Sequence, residues 1–173
     1  GMVIELPIQF DNMTWFGRGP HESYWDRKSG AKIDLYTGKV ADQYHPYVRP
    51  QETGNKTDVR WAAFTDDLGS GIMIRGDTLS VNATHFRITD FDNGNVELTT
   101  RSATSNIRTK KQHRHTTDMS PRKLINVHID HKQMGVGGED SWGSQPLPQY
   151  QLPAKKYSYS FTMVPIPKNS NPV

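Results

Sequence analysis

Apolar and polar side chains alternate with period two at several places along this chain, the pattern of a strand with one buried face. The clearest case is Tyr157, Tyr159, Phe161 and Met163 set against Ser158, Ser160 and Thr162. Val59, Trp61 and Ala63 share one face of a second strand, and Ile72 and Ile74 one face of a third. The segment between them, Asp66-Asp67-Leu68-Gly69-Ser70-Gly71, is made of turn residues, so the pair predicts a hairpin. Leu79, Val81 and Ala83 against Ser80, Asn82 and Thr84, and Ile125, Val127 and Ile129 against Asn126 and His128, predict two further strands. Asn93-Gly94 is the strongest short turn signal and separates residues 86–91 from residues 96–100.

Two stretches break the alternation. Residues 105–119 are polar and basic with no Gly or Pro, which predicts a short surface helix. Residues 144–153 carry three prolines and are expected to run extended into the last strand. No repeat of 20 to 50 residues occurs. At 173 residues the chain is sized for a single domain, residues 1–173, with a tail over 166–173 expected to fray. Gly1 ahead of Met2 reads as the remnant of a cleaved tag, which puts the native start upstream. The chain is 34% apolar, and its remainder, rich in Thr, Ser, Asn, Gly and Pro, favours short strands and turns over helices. An all-β domain is expected.

Charge and cysteine content narrow the partners. Lys and Arg number 21 against 18 acids, too even a balance to demand a polyanion, so nucleic acid is not expected as a partner. With no cysteine there is neither a disulfide framework nor a thiolate metal site, and the absence suits a cytoplasmic or a periplasmic bacterial setting alike. No apolar run of 18 residues and no signal-peptide pattern is found, so no membrane partner is expected.

Several constellations imitate sites. Asp90-Phe91-Asp92-Asn93-Gly94-Asn95 resembles the start of a calcium loop, but its twelfth position, which needs a bidentate carboxylate, is Arg101. His113, His115, His128 and His131 suggest a metal, yet on a strand His128 and His131 face opposite sides, so surface or hydrogen-bonded histidines are expected and no metal ligand is assigned. The basic run of Arg108, Lys110, Lys111 and Arg114 reads as a solvated helix face. Trp15-Phe16-Gly17-Arg18-Gly19-Pro20 continues through proline rather than into a helix start, so a structural turn is expected in place of a phosphate cradle. Glycosidic chemistry needs two facing carboxyl groups, for which Glu22, Asp26, Glu52, Asp58, Glu139 and Asp140 are available but unpaired by sequence alone.

The most informative run is residues 131–143, His-Lys-Gln-Met-Gly-Val-Gly-Gly-Glu-Asp-Ser-Trp-Gly. It holds four of the 14 glycines and one of the four tryptophans. Glycines permit left-handed turns and close backbone approach, so this run reads as a loop presenting an aromatic plate.

Five blocks in series resemble one family. They are Trp15-Phe16-Gly17-Arg18-Gly19-Pro20-His21-Glu22-Ser23-Tyr24, Asp26-Arg27-Lys28, Tyr47-Val48-Arg49-Pro50-Gln51-Glu52-Thr53-Gly54-Asn55, Thr57-Asp58-Val59-Arg60-Trp61, and Asp130-His131-Lys132-Gln133-Met134-Gly135-Val136-Gly137-Gly138 with Asp140-Ser141-Trp142. In this order they resemble the C-terminal, small-chain domain of the bacterial beta-galactosidases of glycoside hydrolase family 2, over residues 13–164.

The resemblance implies an antiparallel super-sandwich of the galactose-mutarotase-like type, with at most one short helix, following a catalytic barrel and leaning over its active site. A barrel of about 250 residues does not fit in this chain. The family's two catalytic glutamates lie on that barrel, so no catalytic residue is assigned here. Its magnesium and sodium likewise belong to the catalytic region, so no cofactor or metal is assigned to this domain. What carries over is the aromatic of the Gly-rich loop, at Trp142. A sugar's C–H face packs on an indole, and loss of roughly 100 Å² of apolar surface is worth about 2.5 kcal/mol, near a hundredfold in affinity. Gly135, Gly137 and Gly138 would turn the loop, and Asp140 or Ser141 would fix its backbone by local hydrogen bonds.

The expected partners are the catalytic barrel of the same polypeptide and a terminal β-galactoside, with the isolated domain inactive. Which galactoside is preferred and whether the parent forms a homo-oligomer are not encoded in these motifs. Two other classes suit the same fold: a stand-alone carbohydrate-binding module, which would bind galactose or lactose unaided, and an aldose epimerase, which would need a histidine and a glutamate in one cleft.

Overall fold

The computed structural model describes residues 1–91, 115–138 and 143–170. The described residues form seven strands: β1 Met2–Pro7, β2 Asn12–Gly19, β3 Lys32–Lys39, β4 Lys56–Thr65, β5 Gly71–Thr84, β6 Leu124–Asp130 and β7 Phe161–Ile166. All pair antiparallel, in the order β1-β6-β5-β4-β2-β3, with β7 also on β5. The helical content of the described residues is one four-residue helix, α1 Ile88–Phe91, and three single 3-10 turns. The fold is all-β and sandwich-like. Met13, Trp15, Val59, Phe64, Ile74, Leu79, Val81, Ile125, Val127 and Ile129 form one buried core.

The hairpin predicted around residues 66–71 is β4–β5. The two strands predicted at Ile72/Ile74 and at Leu79/Val81/Ala83 are a single 14-residue strand. Its inward positions change from even to odd because the ladder with β4 slips between the pairs Trp61↔Arg75 and Val59↔Leu79, and again before Lys56↔Val81. Asp58 and Thr78 stand at these irregularities with φ of 53° and 51°. On its other edge β5 pairs with β7 through residues 71–76 and with β6 through residues 80–84. The edge therefore changes partner at the same place.

Other expectations need correction. The Trp15–Gly19 segment is strand β2, not a turn. Its glycines occupy inward positions, where a Cβ on Gly17 would lie 2.9 Å from the Val59 Cα and one on Gly19 would lie 2.7 Å from the Tyr36 ring. They serve close packing rather than turning. Residues 88–91 are helical. The strand predicted over 157–163 begins its ladder at Phe161 and continues to Ile166, which is buried and paired with Gly71. At the other end of the chain Met2 pairs with Ile129. Of the predicted surface helix only residues 115–119 are described, and they hold one 3-10 turn, Thr116–Asp118. Asn93-Gly94, residues 96–100 and the basic run lie outside the described residues.

Candidate functional site

The Gly-rich loop leaves the end of β6 and is anchored by an element far away in sequence. Tyr24 and Arg27 bridge through backbone bonds of 3.0 and 2.9 Å, making a tight turn with Trp25 and Asp26 at its tip. Asp26 Oδ1 accepts the Val136 N–H at 3.1 Å and Oδ2 accepts the Gly137 N–H at 2.8 Å. The Gly135 N–H donates to the Tyr150 carbonyl at 2.8 Å. Gly135 is buried so tightly that a Cβ would lie 2.6 Å from Asp26 Oδ2 and 2.9 Å from the Tyr150 Cβ. Gly137, Gly138 and Gly143 have φ of 66°, 101° and 83°, the left-handed region that a side chain disfavours. Glu139, Asp140, Ser141 and Trp142 lie outside the described residues.

Trp25 is half-buried beside this loop. Its ring meets Tyr150 edge-on at 6.3 Å between centroids and carries the Lys132 ammonium 4.6 Å from its centre. Sequence reasoning missed Trp25 and the anchoring role of Asp26. The available signal was the block Asp26-Arg27-Lys28, which the acid inventory treated as a carboxylate in search of a partner.

The described candidate acids Glu22, Asp26, Glu52 and Asp58 all accept hydrogen bonds. Glu22 accepts from Arg27 and from the Gly54 N–H, both at 2.8 Å, and from the Tyr47 hydroxyl. Glu52 accepts from Asn82 at 2.9 Å, and burial raises its carboxyl above the usual range. Burial would raise Asp58 too, but hydrogen bonds from Arg18 at 2.5 Å and Lys28 at 3.0 Å overcome it and hold this carboxyl low. Asp90, from the imitation calcium loop, is gripped on both oxygens by Arg122. His128 shares a 2.8 Å hydrogen bond with Asn126, and burial lowers its pKa. Among the described residues no three His, Asp or Glu side chains are grouped to hold a metal.

Lys56 is buried to 1% exposure. Its ammonium bonds only the Gly54 carbonyl, at 3.3 Å, and sits 5.2 Å from the Trp15 ring centre; burial pushes its pKa down to about 8. It borders a cavity of about 440 Å³ shared with Glu22, Arg27 and Tyr47.

These placements give four of the five motif blocks a local role: the first supplies β2, the second the anchoring turn, the fourth β4 and its bulge, and the last the loop. A family model described as beta galactosidase small chain matches residues 1–163. The chain belongs to the beta-galactosidase small-chain family. A beta-galactosidase of Priestia megaterium is 41% identical over 171 residues, covering 96% of this chain and 14% of the relative. Beta-galactosidase BgaC of Bifidobacterium adolescentis is 34% identical over 89% of this chain, and a beta-galactosidase of Lactobacillus delbrueckii subsp. bulgaricus 31% over 90%. The small-chain domain thus spans about 14% of the length of the relatives it matches.

Proposed function

We propose that this chain is the non-catalytic domain of a beta-galactosidase that hydrolyses terminal β-D-galactosides. It packs on the catalytic barrel of the same polypeptide and contributes Trp142 as a plate for the substrate. The observation that carries this reading is the pair of hydrogen bonds that the Val136 and Gly137 N–H groups of the loop donate to the Asp26 carboxylate. A loop fastened to its own domain just before the aromatic, with left-handed glycines on both sides of it, loses less freedom when substrate binds.

The outer sheet face supports the packing partner. Leu35, Phe16 and Trp61 lie side by side across β3, β2 and β4, with Ile33 two residues along from Leu35. Phe16, Ile33 and Leu35 are 38 to 42% exposed, which leaves a contiguous apolar row uncovered. Relatives seven times longer offer the remainder of the polypeptide as its cover.

Steady-state kinetics of Trp142→Ala in the complete beta-galactosidase test the reading. Stacking is alike in ground and transition states, so KM should rise while kcat changes little. A fall in kcat at constant KM would refute it.

A further inference from the structure

Where β5 changes partner, a cavity of about 190 Å³ opens between the Trp25 turn, the β4–β5 bulges and the residues that leave β6. We infer that this cavity is a sugar-binding position that takes one hexopyranose unit with Trp25 as its plate.

The first argument is backbone strain. Three non-glycine described residues have left-handed φ, Asp58, Thr78 and Asn169, and two of them line this one cavity. Thr78 is β-branched, the residue class for which that conformation is most strained. Strain of this kind collects at ligand clamps, and bulges re-aim side chains next to binding sites.

The second is chemistry. One wall is an indole, and the others carry Asp58, Lys28, His131 and Gln133 together with Asn55 and Ser80, which are buried and hydrogen-bonded to each other at 2.8 Å. An aromatic wall beside polar side chains matches a pyranose, which has an apolar C–H face and a rim of hydroxyls. Asp58 and Lys28 form an ion pair at 3.0 Å, so the wall carries both signs and suits a neutral polyol better than an anion. The volume falls below the ~300 Å³ of pockets for drug-sized ligands, which limits the occupant to one ring. Lys132, over the indole, is exposed on a flexible stem, and moving it aside would uncover the plate.

The test is a heteronuclear NMR titration of the 173-residue chain with methyl β-galactoside, and separately with inorganic phosphate. The expected result is a saturable shift of the Trp25 indole N–H, with Kd on the order of millimolar. Intermolecular NOEs from the sugar's ring protons to Trp25 should accompany it and need no variant. Trp25→Ala should weaken binding at least about tenfold, as expected for losing a stacking plate. No saturable shift at Trp25, or a response to phosphate and none to the galactoside, overturns the inference. A response lost in Trp142→Ala and retained in Trp25→Ala also overturns it, and leaves the reading of Trp142 standing.

Discussion

Asp26 holds Gly137 from 111 positions away in sequence, its Oδ2 accepting the Gly137 N–H at 2.8 Å. A carboxylate that binds two successive backbone N–H groups does what the loop's own short side chains were expected to do, and from a rigid turn. Asp26→Ala should therefore free residues 135–138 without unfolding the sheet. Hydrogen bonds to a charged group are worth about 1.5 to 3 kcal/mol. Amide exchange at Val136 and Gly137 should accelerate by at least tenfold, with β4 and β5 unaffected.

Gly135 is required for a different reason from its neighbours. It meets Asp26 Oδ2 and the Tyr150 Cβ at sub-contact distances once a Cβ is added. Gly135→Ala should destabilise the chain by about 1 to 3 kcal/mol, the usual cost of overpacking, whereas alanine at Gly138 meets no atom within 4 Å and bears only the cost of its φ of 101°. Urea unfolding of the two variants compares them directly.

Lys56 sets a pH dependence. With its folded pKa at about 8 against an ordinary 10.5, the folded chain binds fewer protons than the unfolded one between those values. Stability rises with pH where the unfolded state binds more protons. The penalty, about 3 kcal/mol at 1.36 kcal/mol per pKa unit, is thus fully present below pH 8 and relieved as pH climbs towards 10.5. Burial raises Tyr24, Tyr44 and Tyr47, which lose stability at still higher pH, so the comparison must be with a variant. The stability difference between Lys56→Met and the parent chain should shift in the parent's favour from pH 7.5 to pH 10; a constant difference would show that Lys56 titrates normally.

The outer apolar row predicts a separation of effects. Phe16→Glu with Leu35→Glu should change the stability of the isolated domain by roughly 1 kcal/mol or less, as for surface substitutions. In the complete beta-galactosidase the same pair should speed proteolytic release of this domain. Equal susceptibility in both forms would count against this face as the packing surface.

Much of the β architecture is legible in the sequence because inward apolar residues alternate with polar ones in the second half of β5 and in β6, whereas in β4 the expected shared face of Val59, Trp61 and Ala63 is broken by the bulge, which leaves Val59 in the core and puts Trp61 beside Phe16 on the outer face. What sequence reading loses are places where alternation is carried by glycine or interrupted by geometry. Gly17 and Gly19 complete the inward set of Met13 and Trp15 yet look like turn residues. The change of phase along β5 looks like two strands because a bulge and a strand break leave the same pattern. β3 offers little signal, since six of its eight residues, including Ile33 and Leu35, are exposed. In the site, the loop and its glycines are legible from composition, whereas Asp26 is not, because a contact across 110 residues leaves no periodicity.

The most direct measurement is the pair of kinetic constants of the complete beta-galactosidase with and without the Trp142 indole. Loss of about 2.5 kcal/mol of apolar contact predicts a KM raised up to about a hundredfold with kcat within a few-fold. An unchanged KM, with or without a collapse in kcat, would contradict a substrate-stacking role for Trp142.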